Sequence, residues 1–261
     1  MIVVDAGNTR VKFAWMELPP VSGVPRSLGF MAIPVGQPLP VDTLRDWIRQ
    51  GHWPRVVVDG SNPPEVERVL REWPQMGVPP THLGDRQRLP LVIDVEFPEK
   101  VGIDRLLNAM AANARRQPSQ IAIVIDSGTA TTVDLVDGTG VFCGGAILPG
   151  FEMGAKALNH YTALLPLIQH HRLHDRIPPA IGRNTHEALE SGLYWGHVGA
   201  VRQLIDSIHR ESTPATGSPD PLVLLTGGAA PVLRPHLPEA HWEAALCLQG
   251  LVIAANAMQG P

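Results

Sequence analysis

Asp5-Ala6-Gly7-Asn8-Thr9-Arg10-Val11-Lys12 and Asp126-Ser127-Gly128-Thr129-Ala130-Thr131-Thr132 decide how this chain folds. Each stretch follows a short β-branched run, residues 2–4 in the first case and 121–125 in the second. Each leads straight into another β-rich run, 11–15 and 131–136. Strand, Asp-x-Gly turn, strand therefore occurs twice, the second time close to the middle of the 261 residues. A repeat at half-chain spacing implies two lobes built alike. A single doubly wound sheet would place a helix directly after the first glycine turn; here a strand follows. The expectation is an α/β protein with two lobes, residues 1–117 and 118–261.

Outward from these turns the chain alternates between strand and helix patterns. Residues 55–58, 91–95, 141–148 and 222–225 read as strands, and 64–73, 102–116, 154–159, 185–209 and 244–257 as helices. The 26 prolines, about twice the usual share of roughly 5%, gather in loops, such as Pro63-Pro64 and Pro178-Pro179, and punctuate the chain.

The turns carry chemistry as well as topology. Glycine lets the backbone approach a ligand closely, so successive amides can converge on an anion. Asn8, Thr9, Thr129 and Thr131 add side-chain donors, and Lys12 adds a point charge suited to phosphate. A carboxylate beside phosphate needs a cation between them, which makes Asp5 and Asp126 candidates for magnesium, through water, or for a monovalent cation. Asp and Gly also dominate ordinary hairpin turns. The pairing at half-chain spacing, with Lys12 on the polar face, favours nucleotide phosphate.

Val101-Gly102-Ile103-Asp104-Arg105 opens an amphipathic helix. Asp104 suits a helix N-terminus, but a cation such as Arg105 is mildly unfavourable there. An arginine in that place suggests bidentate capture of a carboxylate, with Asp104 beside it to accept a hydroxyl proton. Gly144–Gly150 ends a strand in small residues, Thr226-Gly227-Gly228 follows a late strand, and Thr185 after Gly182-Arg183-Asn184 reads as a helix N-cap. His170, His171 and His174 read as solvated residues and not as metal ligands. No H-E-x-x-H, Gly-x-Ser-x-Gly or P-loop pattern occurs.

Six of these motifs, in this order from residue 1 to the C-terminal helix, resemble type III pantothenate kinases, within the superfamily of acetate and sugar kinases, Hsp70 and actin. Asp5 to Lys12 is similar to the family's Asp-x-Gly-Asn-Thr-x-x-Lys motif, and Gly102 to Arg105 to its Gly-x-Asp-Arg motif. Asp126 to Thr132, Gly144 to Gly150, Gly182 to Thr185 and Thr226 to Gly228 match the remainder. The resemblance implies two ribonuclease H-like lobes of actin-like ATPase architecture, with duplicated mixed sheets and flanking helices. It implies ATP-dependent phosphorylation of pantothenate, the first step toward coenzyme A. Asp5, Ala6, Gly7, Asn8, Thr9, Arg10, Val11, Lys12 and Thr129 would surround ATP with Mg2+, and Asp126 would hold K+ or NH4+. Asp104 would be the proton acceptor, and Gly102, Ile103, Asp104, Arg105 and Thr185 would contact pantothenate. A homodimer is implied too. One departure stands out: a tyrosine usual in the family seven residues before the motif glycine is Val95 here, with Phe97 nearby. A second reading is a nucleotide-binding accessory or regulatory protein that keeps the fold without turnover.

Composition sets the outer limits. The net charge of −4, without a lysine- or arginine-rich block, argues against nucleic acid as a partner. No apolar run approaches the roughly 18 residues of a membrane span. The N-terminus lacks a signal-peptide pattern and only two cysteines, Cys143 and Cys247, are present, so the expected compartment is the cytoplasm.

Overall fold

The computed structural model describes residues 1–18, 23–52, 54–169, 173, 176–212 and 219–258. By internal contacts the chain falls into two units: Met1–Arg116 with Gly140–Phe142 and the chain from Ala245 on, and Gln117–Thr139 with Cys143–Ala244.

The first unit is built on β1 (Ile2–Ala6), β2 (Arg10–Glu17), β3 (Arg26–Pro34), β4 (Val56–Asp59) and β5 (Pro80–His82), in the order β3-β2-β1-β4-β5. The central strand β1 runs antiparallel to β2 and parallel to β4. It is buried along its whole length, which is why its sequence is a continuous apolar run and not an alternation. Ile2, Val4 and Ala6 pack with Leu44, Trp47 and Ile48 of α1 (Val41–Gln50) and Val66 and Val69 of α2 (Pro63–Glu72). Val3 and Asp5 alternate to the other face. Helix α2 starts where Asn62 accepts a hydrogen bond from Glu65 N, with two prolines in the first turn.

The second unit repeats this plan. Strands β6 (Ala122–Ser127), β7 (Ala130–Val136), β8 (Phe142–Pro149), β9 (Leu222–Thr226) and β10 (His241–Trp242) lie in the order β10-β9-β6-β7-β8. Read from the other edge this is the same order, with β6 in the place of β1: antiparallel to β7 and parallel to β9. Ile123, Ile125, Val223 and Leu225 pack against Tyr194, Val198, Val201 and Ile205 of the long helix that starts at Thr185. The two-lobe, ribonuclease H-like plan is therefore present as a true duplication of strand order.

Helix α1, the short strands β5 and β10 and the turn of helix at Ala230–Leu233 are absent from the sequence reading, and three further outcomes differ from it. Residues 91–95 form a single parallel bridge, Ile93 to Phe142, and not a strand; the contact is limited to Phe142 N to Val92 O and Asp94 N to Phe142 O. Strand β3 was not expected, being mostly exposed along its length and interrupted by Gly29. The closing helix, placed with residues 118–261 by the sequence, packs in the first unit. Helices in chain order after α2 are α3 (Ile103–Asn113), α4 (Phe151–His160), α5 (Thr185–Ser212), α6 (Ala230–Leu233) and α7 (Leu246–Ala257). Helix α7 is buried along nearly its whole length, from Leu246 to Ala255, and is apolar there except for Gln249. At Gly250 it lies so close to the Leu107 backbone of α3 that a Cβ would overlap it. Gln249 ties α7 in place, donating to Pro25 O and accepting from Arg115.

Candidate active site

The first turn is held at both ends. Asp5 and Lys12 face each other in the β1–β2 register, with Lys12 Nζ 3.2 Å from Asp5 Oδ2. Gly7 N donates to Arg10 O and closes the hairpin. Gly7 to Arg10 reach solvent, with Asn8, Thr9 and Arg10 exposed, while Ala6 and Val11 are core residues. Any ligand contact of Ala6 or Val11 therefore runs through the main chain. Asp5 is 3% exposed. Its Oδ1 is buried and accepts no hydrogen bond from the described residues, a costly arrangement for a carboxylate oxygen unless a cation or its water serves it.

Two residues that the sequence reading passed over complete this half. Asn62 N donates to Ala6 O and its side chain to Gly7 O, so the cap of α2 also grips the turn. Asp59 lies in register with Asp5 on the parallel neighbour β4 and is 5% exposed. It accepts from Gly60 N at 2.7 Å and Gly84 N at 3.4 Å, with His82 Nε2 3.7 Å away. Neither residue belongs to a local motif; only strand pairing brings them beside Asp5.

In the same unit Gly102 caps α3 without a side chain, and Asp104 Oδ1 accepts from Arg105 N at 2.9 Å. A Cβ on Gly102 would lie 2.5 Å from that oxygen, so glycine is what allows the carboxylate to fold back over the helix start. The Arg105 guanidinium lies over the Phe142 ring at 5.4 Å. Arg86 donates to Val101 O and fixes the chain entering the motif. Ile103 is fully buried and can offer a ligand only its backbone. Val95 is half-buried, and Phe97 is exposed with Lys100 Nζ 4.1 Å from its ring.

The second unit carries Asp126, Thr129 and Thr185. Asp126 is in register with Thr132 on β7 and Thr226 on β9. The position opposite the aspartate is thus a hydroxyl here and an ammonium in the first turn. Thr132 Oγ1 is buried and has no hydrogen-bond partner among the described residues. Thr129 is exposed at the tip, its carbonyl fixed by Gly150 N at 3.1 Å. Gly227 has φ +92° and a Cβ there would lie 2.6 Å from Asp126 Oδ1, which explains glycine in Thr226-Gly227-Gly228. Thr185 is exposed at the first position of α5, but the cap is Asn184, which accepts from Glu187 N at 3.0 Å. Residues 170, 171 and 174 lie outside the described residues. Among the described residues no group of three or more His, Cys, Asp or Glu is arranged to hold a metal ion.

Known proteins match this chain throughout. The model of the type III pantothenate kinase family matches residues 1–207. A type III pantothenate kinase of Gluconobacter oxydans is 35% identical over 274 residues, covering 100% of this chain and 94% of its own. One from Acidiphilium cryptum is 32% identical, with 97% and 93% covered. Among solved structures, a Campylobacter jejuni protein described as a Baf family transcriptional activator superposes over 100% of both chains, with TM-score 0.59 and 16% identity; that likeness is one of fold. By full-length sequence similarity and by its family match, the chain belongs to the type III pantothenate kinase family.

Proposed function

We propose that this protein transfers the γ-phosphoryl group of ATP to the primary hydroxyl of pantothenate, giving 4′-phosphopantothenate in the first step of coenzyme A biosynthesis. The observation that carries the reading is the start of α3, where Asp104 and Arg105 stand side by side on a bare glycine cap. Pantothenate offers one carboxylate and one primary hydroxyl, and the motif offers one guanidinium and one carboxylate. Arg105 binds the substrate carboxylate, while Gly102, Ile103 and Thr185 add contacts, those of Ile103 through its backbone. Asp104 accepts the hydroxyl proton as the oxygen attacks phosphorus. Such a base contributes about 10²–10⁴-fold; the rest of catalysis is positioning and charge neutralisation.

Lys12 and the main chain of the turn from Ala6 to Val11 contact ATP, the Gly7 N–H being already engaged by Arg10 O, with Asn8, Thr9 and Arg10 adding side chains and Thr129 serving from the second turn. Mg2+, when bound, neutralises phosphate charge. Asp5 fits it, because its Oδ1 is buried without a protein donor and magnesium takes one or two carboxylates plus phosphate oxygens. Asp126, with the Thr132 hydroxyl in register beside it, presents an all-oxygen donor set suited to K+ or NH4+.

The second unit leaves Ile147, Tyr161, Leu164 and Ile181 between 65% and 91% exposed. A homodimer belongs to the same proposal, and these exposed apolar side chains are candidates for its interface. No helix among the described residues is long and apolar enough to cross a membrane. We propose the cytoplasm as the place of the reaction, with small molecules and not nucleic acid or membrane as partners, on the ground of its water-soluble substrates, pantothenate and ATP.

The test is ADP formation by purified protein with ATP and Mg2+, with and without pantothenate, in potassium and then in sodium. Pantothenate-dependent ADP that requires potassium is the expected result. ADP release indifferent to pantothenate would indicate another acceptor or water. ATP binding without turnover would favour the accessory reading and direct attention to Val95.

A further inference from the structure

The second phosphate turn stands on a buried chain of side chains that no motif announces. Ser127 Oγ and Thr131 Oγ1, on either side of the turn, share a hydrogen bond of 2.9 Å. Thr131 Oγ1 shares another, 3.1 Å long, with His197 Nε2 from the middle of α5. Ser127 and Thr131 are 0% exposed and His197 is 8% exposed. The imidazole lies against the Phe151 ring, centroids 4.2 Å apart. Phe151 directly follows Gly150, the residue whose N–H holds the Thr129 carbonyl. One histidine thus touches both supports of the Gly128-Thr129 tip, through Thr131 on one side and Phe151 on the other.

We propose that His197 is a positioning residue for nucleotide binding: it fixes the Thr131 hydroxyl, and through the Ser127–Thr131 bridge holds the neck of the second phosphate turn in its receptive shape. This inference rests on the reading of that turn as a nucleotide contact. The bridge needs a third partner for a simple reason. Two hydroxyls can bond each other with either as donor and can rotate apart, whereas an imidazole nitrogen bonded to Thr131 Oγ1 holds that hydroxyl in place in either neutral tautomer. Burial keeps the ring neutral, its pKa lowered to about 4, so the arrangement is the same throughout the neutral range. His197 and Phe151 also line an open apolar hollow together with Leu148, Leu193 and Gly196, which leaves room for replacement side chains.

Two substitutions separate bonding from packing. His197→Phe keeps the ring against Phe151 and removes the hydrogen bond; His197→Gln keeps a polar group for Thr131 and removes the ring. Affinity for a non-hydrolysable ATP analogue and thermal midpoint are measured for both, together with Thr131→Val and the Thr131→Val/His197→Phe double variant. The expected pattern is an analogue affinity about tenfold weaker in His197→Phe, near-normal affinity in His197→Gln, and a double variant no weaker than either single one. His197→Phe binding the analogue like the wild type would overturn the proposal. So would His197→Gln failing as badly as His197→Phe, or singles whose effects multiply in the double variant. Pantothenate-dependent ADP formation by the wild type is a separate readout. Its absence alongside the expected affinity pattern removes the kinase reading and leaves the role of His197 standing.

Discussion

Lys12 reaches across the first hairpin to Asp5, Nζ to Oδ2 at 3.2 Å, from the position directly opposite it in the strand register. The pair is asymmetric. The lysine side chain is 27% exposed and the aspartate side chain 4%, so the ammonium can turn to an arriving phosphate while the carboxylate cannot leave.

Replacing Lys12 by Met therefore acts on two quantities. Binding of ATP should weaken by about tenfold to a hundredfold through loss of a charge-assisted contact. Stability should fall by about 1–3 kcal/mol, because a buried carboxylate loses its partner. Titration calorimetry with an ATP analogue and denaturant unfolding read the two separately; unchanged nucleotide affinity would remove Lys12 from the phosphate site.

At the start of α3 the two neighbours should fail differently. Asp104→Asn should lower kcat by about 10²–10⁴-fold and leave ATP affinity intact. Arg105→Ala should raise KM for pantothenate and abolish the preference for pantothenate over pantothenol, which lacks the carboxylate. Steady-state kinetics with both acceptors decides each point. A wild type that accepts pantothenol equally well contradicts the role of Arg105.

His197 sets a pH signature. Burial lowers its pKa to about 4 in the folded chain, against about 6.5 when unfolded. Between these values the unfolded state binds the extra proton, so stability falls as pH drops from about 6.5 to about 4, by about 3 kcal/mol in all. Above pH 6.5 the group adds no slope. Unfolding free energies at pH 7 and pH 4.5 should therefore converge more in His197→Phe than in the wild type; equal acid sensitivity would mean the ring titrates normally.

Gly250 offers a test of the first unit. Its Cβ position is occupied by the Leu107 backbone, so Gly250→Ala must push α7 and α3 apart. Despite the higher helix propensity of alanine, the variant should lose about 1–3 kcal/mol. A thermal midpoint at or above that of the wild type would refute the close approach.

The parts of this protein legible in its sequence are those where one local segment carries the whole message. The two Asp-x-Gly turns needed only their flanking apolar runs, and Gly102 to Arg105 needed only the helix that follows. Asp59 and Asn62 were invisible as site residues because their significance lies in pairing: β4 beside β1, and a helix cap that happens to abut Gly7. His197 is more extreme, since it stands 66 residues from Thr131 in a helix whose pattern reports only packing. Strand β3 was missed for the opposite reason. Only its second half meets the core, through partly buried Met31 and Ile33, and its first half is exposed, so too little alternation is left to mark a strand.

The return of α7 to the first unit also fixes an order of events at the ribosome. All of the second unit, residues 117–139 and 143–244, is made before the helix that completes the first. At about 5–20 residues per second, the face of α3 around Leu107 waits on the order of ten seconds for its cover. The unit translated first is thus the last to become complete, because it cannot close until its final helix has been made.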